Sequence, residues 1–535
     1  MVHSIQLVVA LLAVLAVVAL GARTLQIPAA ILLVVAGVIL ALIPGLPEIH
    51  LAPELVLLVV LPPFIYSASV AMSWREFRFN LRPIALLAFG CVIFTACAVA
   101  AGMHYVFGMP WTLGFLLGAI VAPPDVIAPL AIARRLGMPH RILVILEGEG
   151  LANDATALIL YRFAVVAITT GAFSPVQAAG TFVLIVIGEI IFGIGVGWFS
   201  LRLRRLARDP RVEITLSLMT PYLAYWIPEH VGGSGVLATV ACGLYVSWRG
   251  PLLIPSATRV QGIFFWDLLI YLIEGLVFLV TGLQARQLFE RAQSFSLREI
   301  IVATLLTAAI AIAARFIWIF PATYLPRWLI PSVARRDPSP SWKYPFLLSF
   351  TGVRGVVSLA AALAIPFSIA GGQPFPQRDL IQFVTFGVII ITLVGLGLTL
   401  PLVLRWLGLA DAGRDEQRRE REAEFAARRQ TAEMARRRLD ELTDHHGVSG
   451  EALALIQSRY DARLALTPRS LTDGIEVARG REQLRLDLIE EERQLIHALL
   501  REGKINDETR RRIERDLDLE EVAIRTRSGS DDAPL

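Results

Sequence analysis

"GAIVAPPDVIAPLAI" (residues 118–132) is apolar enough to lie in a bilayer, yet it carries Pro123, Pro124 and Pro129 around one acid, Asp125. Proline inside a helix removes a backbone hydrogen bond and clashes with the preceding turn. In lipid such a break persists only where protein or a water-filled cavity satisfies the freed groups. A second stretch of this kind, "LSFTGVRGVVSLAAALAIP" (residues 348–366), has Gly352, Arg354 and Gly355 at its middle. An ordinary kink explains either break alone. Two breaks that each bear a charge ask for a further reason.

The surrounding chain sets the context. It has 535 residues, 55% of them apolar, and a mean hydropathy of +0.61, above the range of soluble proteins. Residues 411–535 differ sharply, with 24 Lys and Arg against 29 Asp and Glu, a net of −5; residues 1–410 hold 26 and 17, a net of +9. This predicts a membrane domain over 1–410 and a charged helical cytoplasmic tail over 411–535. Cys91, Cys97 and Cys242 lie in apolar runs without metal or disulfide spacing and read as small core residues. The first 23 residues lack a basic leader and a small-residue cleavage site, so they read as a first span rather than a signal peptide.

Hydropathy predicts about thirteen spans: 4–22, 27–44, 52–72, 82–107, 110–134, 142–170, 175–206, 212–228, 233–249, 260–284, 298–326, 342–368 and 379–407. Alternate loops hold 18 Lys and Arg against 4 in the opposite set, which places the first set in the cytoplasm. The N-terminus is then outside and the tail inside. Thirteen divides as six, one and six, so the seventh span would invert the second unit relative to the first. Secondary transporters commonly have such inverted repeats, with binding sites on broken helices at the midplane. The scheme pairs span 5 with span 12, the two interrupted segments. The expected fold is an all-α polytopic membrane protein of two inverted six-helix repeats, with spans 5 and 12 as crossing broken helices.

"EGEGLANDATALILYRFA" (residues 147–164) makes span 6 the most charged. A charge at the bilayer centre costs several kcal/mol, with estimates from about 2.5 upward. The intramembrane charges are Asp125, Glu147, Glu149, Asp154, Arg162, Glu189, Asp267, Glu274, Arg315 and Arg354. Carboxylates outnumber arginines, so some must be protonated or bind a cation. At roughly 100° per residue, Asp154 lies about 80° from Arg162 and about 140° from Glu149, so the three face different neighbours. Glu149 needs a partner from another helix, for which Arg354 is the best candidate. Arg162 pairs with another span, Glu189 and Glu274 being the alternatives. Glu147 lies near the cytoplasmic end. Asp154 and Asp125 are left without an obvious base. Burial and a second carboxylate both disfavour ionisation. The ionised form is a hard oxygen ligand for a hard cation, completed by Asn153 and carbonyls freed in span 5. Proton and cation then compete for one site, and alternating access turns that competition into exchange. A purely structural role for Asp154, hydrogen-bonded to its neighbours, is the bland alternative.

These stretches resemble sodium/proton antiporters of the monovalent cation:proton antiporter superfamily, the branch of bacterial antiporters and animal sodium/hydrogen exchangers. Glu149, Asn153 and Asp154 fill the family's Glu-Ser-x-x-Asn-Asp motif. Asp125 stands at the family's fifth-helix aspartate and Arg354 at its later Arg-Gly arginine. "LPPFIYSASVAMSWREF" (61–77) and "GLTLPLVLRWLGL" (397–409) are also similar, and the likeness covers residues 5–407. The resemblance implies thirteen helices in inverted repeats, a homodimer in the cell membrane, pH homeostasis, and electroneutral exchange of Na⁺ or Li⁺ for H⁺. Na⁺ would bind at Asp154 and Asp125, supported by a Glu149–Arg354 ion pair. Gly150 replaces the family serine, Pro124 a frequent threonine, Leu396 a common glutamine and Glu274 an asparagine. With Thr156, Glu147 and Arg162, the positions Gly150, Pro124 and Glu274 stand as modulators, and Glu274 puts strict one-for-one stoichiometry in question.

No cofactor, nucleic-acid partner or enzymatic activity is expected. A K⁺/H⁺ or broad monovalent cation exchanger is the main alternative. A cation channel would need a ring of acids or a filter, an intramembrane aspartyl protease a Gly-x-Gly-Asp context, and a primary pump a nucleotide-binding loop. None of these is present in the sequence. In the tail, Leu488, Ile489, Leu495, Ile496, Leu499 and Leu500 read as one apolar stripe, in a solvated helical appendage or a regulatory or dimerising module. Residues 525–535 read as unstructured.

Overall fold

A computed structural model describes residues 2–25, 28–43, 53–171, 174–207, 209–291, 295–369, 373–446, 450–464, 475–502 and 504–528. Arg208, one of the loop arginines, and the ends of the expected span 27–44 lie outside the described residues. Among the described residues the regular structure is helical throughout.

The helices run in order as α1 (Val2–Leu25), α2 (Ala29–Ala41), α3 (Val56–Ala71) and α4 (Leu81–Phe107), then α5 (Trp111–Val121), α6 (Ile127–Arg135) and α7 (His140–Thr170). There follow α8 (Pro175–Ala207), α9 (Pro210–His230), α10 (Val236–Leu253), α11 (Ser256–Leu283) and α12 (Leu297–Leu329). The membrane part closes with α13 (Lys343–Phe350), α14 (Val356–Leu363) and α15 (Arg378–Leu407). By length and composition α4, α7, α8, α10, α11, α12 and α15 can each cross a bilayer; Gln6–Ala22 within α1 and the helices α2, α3 and α5 are shorter apolar stretches. The protein is an all-α, multi-pass membrane protein.

Both anticipated breaks are present. Residues 122–126 separate α5 from α6, and residues 351–355 separate α13 from α14. The tertiary amide of Pro124 cannot donate, so the turn before Asp125 has no helical ladder to join. The two broken segments touch at their breaks, where the Asp125 amide donates to the Val353 carbonyl at 2.7 Å.

Helices α4, α5, α7, α12, α13 and α15 pack on one another, and α3, α8, α9 and α10 form a second group, with α2 lying along α11. The α2–α11 contact depends on glycine: a Cβ on Gly37 would strike the Leu279 carbonyl, and one on Gly282 the Val34 carbonyl. Small residues that let backbones approach are the usual means of helix association in lipid. Cys91 and Cys242 are buried as expected, but Cys97 is exposed. It sits on the outward side of α4, where lipid tolerates a thiol as well as a core does. Asp267 is also exposed, on α11.

Met1–Arg414 and Asp415–Leu535 are separate compact units. The second holds most of α16 (Leu409–His446), with α17 (Gly450–Leu464), α18 (Ile475–Arg501) and α19 (Asp507–Ser528). The single stripe read in α18 divides: Ile489 and Ile496 pack on Leu517 of α19, whereas Leu488 and Leu495 are exposed. Residues one apart on a helix diverge by about 100°, so one partner helix cannot cover both. Arg485 grips Glu520 with two hydrogen bonds of 2.8 and 2.9 Å, which holds the Glu520 carboxyl below its usual range. The pairing is in place above the ordinary glutamate pKa and is lost as pH falls through the lowered value. Helix α19 extends through Ser528, so residues 525–528 are helical rather than unstructured; residues 529–535 lie outside the described residues.

Candidate functional site

Asp125 and Asp154 line one cavity of about 80 Å³ where the broken helices cross. A cavity needs about 10–15 Å³ of such volume to hold a water, so this one can be hydrated. Gly150 and Asp154, four apart on one face of α7, form one side, and Pro123 to Ile127 and Gly355 to Ser358 the next; Glu274 of α11 also lines it. The remaining wall is apolar, with Val60, Leu61 and Phe64 of α3 and Val277 and Phe278 of α11, and no basic side chain lines the cavity. Three acids thus face a small, mostly apolar space with no fixed cation on its wall.

The half-helices determine the field there. Val126 and Ile127 begin α6, and Gly355 to Ser358 begin α14, so two helix N-termini face the cavity. Their partial positive charge favours anionic side chains. Asp125 uses Oδ1 to accept from the Ile127 amide at 2.9 Å, an N-terminal cap on α6. Its Oδ2 lies against the Gly355 backbone, where any Cβ would overlap the carboxylate. Gly355→Ala is therefore expected to force the crossing apart. Overpacking of this kind costs about 1–3 kcal/mol, so the melting temperature should fall and the apparent cation affinity drop by tenfold or more; unchanged cation dependence would show that Asp125 has room to move.

The opposite helix ends are served by Arg354, which is 1% exposed. Its Nε donates to the Val121 carbonyl at the end of α5 at 2.8 Å, another guanidinium nitrogen donates to the Gly352 carbonyl, and Nη2 reaches Ala311 O at 3.4 Å. Its amide donates to the Thr392 hydroxyl at 3.0 Å. Arg354 therefore satisfies the Val121 and Gly352 carbonyls at the breaks, reaches α12 through Ala311, and does not pair with Glu149 as anticipated. Glu149 is gripped instead by Arg315 of α12, through two bonds of 2.5 and 2.8 Å, with the two side chains 0% and 2% exposed. Arg315 also donates Nε to Leu348 O at 3.0 Å. The reason is geometric. The two Arg315 terminal nitrogens each meet one Glu149 oxygen, while the Arg354 guanidinium lies among the Val121, Gly352 and Ala311 carbonyls.

Three other residues also sit differently from expectation. Asn153, 0% exposed, donates Nδ2 to the Pro124 carbonyl at 2.7 Å. It ties α7 to the break instead of lining the cavity, and its Oδ1 is buried without a partner among the described residues. Arg162 pairs with neither Glu189 nor Glu274; it binds the Glu229 carboxylate and the Gly233 carbonyl at the end of α9. Glu189 is held by the Ser234, Gly235 and Leu237 amides at 2.5, 3.1 and 3.1 Å, a carboxylate closing the N-terminus of α10.

Thr156 is buried and returns its hydroxyl to the Ala152 carbonyl at 3.3 Å. Glu147 is half-buried and meets Arg134 at 2.5 Å. Gly150 faces Val126, whose side chain a Cβ would strike, so valine fills the room a serine would need. Arg315 carried a visible signal, an unpartnered intramembrane charge. Glu229 lies just past the expected span 212–228, before a Gly-rich turn, with nothing in the sequence to mark it as a partner.

The signature of the family described as sodium/hydrogen exchanger, transmembrane, matches residues 8–406. The chain belongs to the sodium/hydrogen exchanger family. An Na⁺/H⁺ exchanger of Mycobacterium tuberculosis (strain ATCC 25618 / H37Rv) is 32% identical over 98% of this chain and 97% of its own. A sodium, potassium, lithium and rubidium/H⁺ antiporter of Bacillus pumilus is 34% identical over 70% of this chain and 58% of its own. Among solved structures, the sodium proton antiporter MjNhaP1 from Methanocaldococcus jannaschii superposes with a TM-score of 0.61 at 20% identity, covering 76% of this chain and 98% of that one, a likeness of fold. The crossing of residues 122–126 and 351–355 thus belongs to a family of transporters.

Proposed function

We propose that this exchanger moves Na⁺ or Li⁺ against H⁺ across the cell membrane by alternating access, with cation and proton competing for Asp154 and with Asp125 beside it. The observation that carries the reading is the shared cavity: Asp125 and Asp154 line it and no basic side chain does. A carboxylate there is neutralised by a proton or by a cation, and a transporter that must return neutral carries one or the other. Asn153 and Pro124 hold the break in shape, and the Glu149–Arg315 pair and Arg354 hold the helices around it.

One carboxylate trading one proton for one monovalent ion makes the exchange electroneutral. Glu274 bears on this because it faces the same cavity. In everted vesicles, Na⁺ or Li⁺ is expected to drive proton flux at a rate indifferent to an imposed membrane potential. Glu274→Gln keeps the side-chain volume and is expected to retain exchange to within about tenfold, a change of about 1.4 kcal/mol. Acceleration of the wild type by potential, abolished in Glu274→Gln, would instead make Glu274 a second proton carrier. The same assay with K⁺ tests a broader monovalent selectivity, which the Bacillus pumilus relative's substrates make the second reading. The arginine bias of the loops supports an N-terminus outside and the tail in the cytoplasm. A homodimer serving pH homeostasis completes the proposal.

A further inference from the structure

The cytoplasmic ends expected for three long helices carry a charge cluster unrelated to the cation cavity. Asp337, in the segment after α12, accepts hydrogen bonds at Oδ2 from Arg82 of α4 and Arg327 of α12, each at 2.7 Å, and its Oδ1, which accepts no hydrogen bond among the described residues, lies 2.9 Å from the Arg141 guanidinium of α7. One carboxylate meets three guanidinium groups, a formal surplus of two positive charges.

The three arginines are not equally occupied. Arg327 is 6% exposed; it also donates Nε to the Asp337 carbonyl at 3.0 Å and bonds the Thr323 carbonyl. Arg82 makes its one hydrogen bond among the described residues through Nη2, leaving Nε and Nη1 free. Arg141 spends Nε on Asn80 at 3.2 Å and leaves Nη1 free. Arg82 and Arg141 are 29% and 34% exposed, so the surplus charge and the free donors lie on the accessible side of the cluster.

Exposed apolar side chains adjoin the cluster, as do the exposed Arg335 and Arg336. Leu81, Phe79 and Trp328 are all exposed; two are sequence neighbours of the cluster's arginines, and Arg141 lies over the Phe79 ring at 5.8 Å. A notch with unspent guanidinium donors, walled by exposed apolar side chains at the ends of membrane-crossing helices, matches a ligand that is anionic at one end and oily at the other. A phosphate diester offers two oxygens to arginine forks, and basic pockets between helices at the cytoplasmic interface take anionic head groups. We propose that Arg82 and Arg141 bind the phosphate of an anionic phospholipid, with Arg327 and Asp337 holding the site open and the acyl chains along Leu81 and Trp328. The proposal does not depend on the transported ion.

The test uses the purified full-length protein in detergent. Phosphatidylglycerol is expected to raise its melting temperature, as any ligand specific to the folded state does; phosphatidylcholine and inorganic phosphate are not. The Arg82→Gln/Arg141→Gln variant is expected to lose that increment, and Asp337→Asn, which adds to the surplus, to enlarge it. Equal shifts with phosphatidylglycerol and phosphatidylcholine would overturn the proposal, as would an unchanged increment in the double variant. The same shift from inorganic phosphate would overturn the lipid assignment. Should the variants not fold, the wild type decides through a photoactivatable phosphatidylglycerol. Crosslinks at residues 79–82, 141 or 327–328 support the site, and crosslinks confined elsewhere overturn it.

Discussion

Asp154→Asn is expected to reduce Na⁺-driven proton flux to about one-hundredth of wild type or less, equivalent to roughly 2.7 kcal/mol. Asparagine keeps the shape and the oxygen and loses only the state that can exchange a proton for a cation. The protein should still fold, because removing an acid from a largely apolar wall lifts a desolvation cost. Matched expression in everted vesicles and an unchanged melting temperature without Na⁺ would separate a functional loss from a folding loss. Asp125→Asn is a useful contrast. Its Oδ1 caps α6 through the Ile127 amide, and asparagine can keep that bond, so the fold should survive while cation binding weakens. If exchange persisted in Asp154→Asn, the competition would have to occur elsewhere.

The second large effect is structural. Glu149→Gln is expected to destabilise the membrane domain by about 3–5 kcal/mol, the usual consequence of leaving one member of a buried ion pair uncompensated. Arg315 would lose its carboxylate while remaining buried at 2% exposure. The identity of the partner can be measured. In a double-mutant cycle, substitutions of Glu149 and Arg315 should be strongly non-additive, because one guanidinium is bonded to one carboxylate. Substitutions of Glu149 and Arg354 should be closer to additive, because Arg354 spends its donors on the Val121, Gly352 and Ala311 carbonyls. The readout is the melting temperature of each purified variant. Coupling of Glu149 to Arg354 as strong as to Arg315 would return the pair to its expected form.

These two residues illustrate what the chain discloses before it is folded. The breaks were legible because Pro123, Pro124, Gly352 and Gly355 act through local backbone chemistry. The all-helical, membrane-spanning architecture was legible because apolar length is a direct demand of the bilayer. Asp125 and Asp154 stood out as acids with no base at hand, and the structure places both on one cavity wall. The partners were not legible. Helical spacing tells which side of α7 Glu149 faces but not which helix waits there, and two buried arginines competed for that role. Arg162 meets Glu229 at the end of α9, a contact set by how two helices cross rather than by any local pattern. Asn153 belonged to a motif suggestive of a ligand, yet the Pro124 carbonyl, freed by the break, takes its amide. Long-range pairing among like residues is the information that periodicity and composition do not hold.

A site that takes either a proton or a cation must release the one as it binds the other. The most direct measurement is proton release on Na⁺ addition to the purified protein in weakly buffered detergent solution, read with a pH dye while Na⁺ binding is followed by calorimetry. Release of about one proton per Na⁺ bound is expected, with both release and binding lost in Asp154→Asn. Sodium binding with no proton released, or release undiminished in Asp154→Asn, would contradict it.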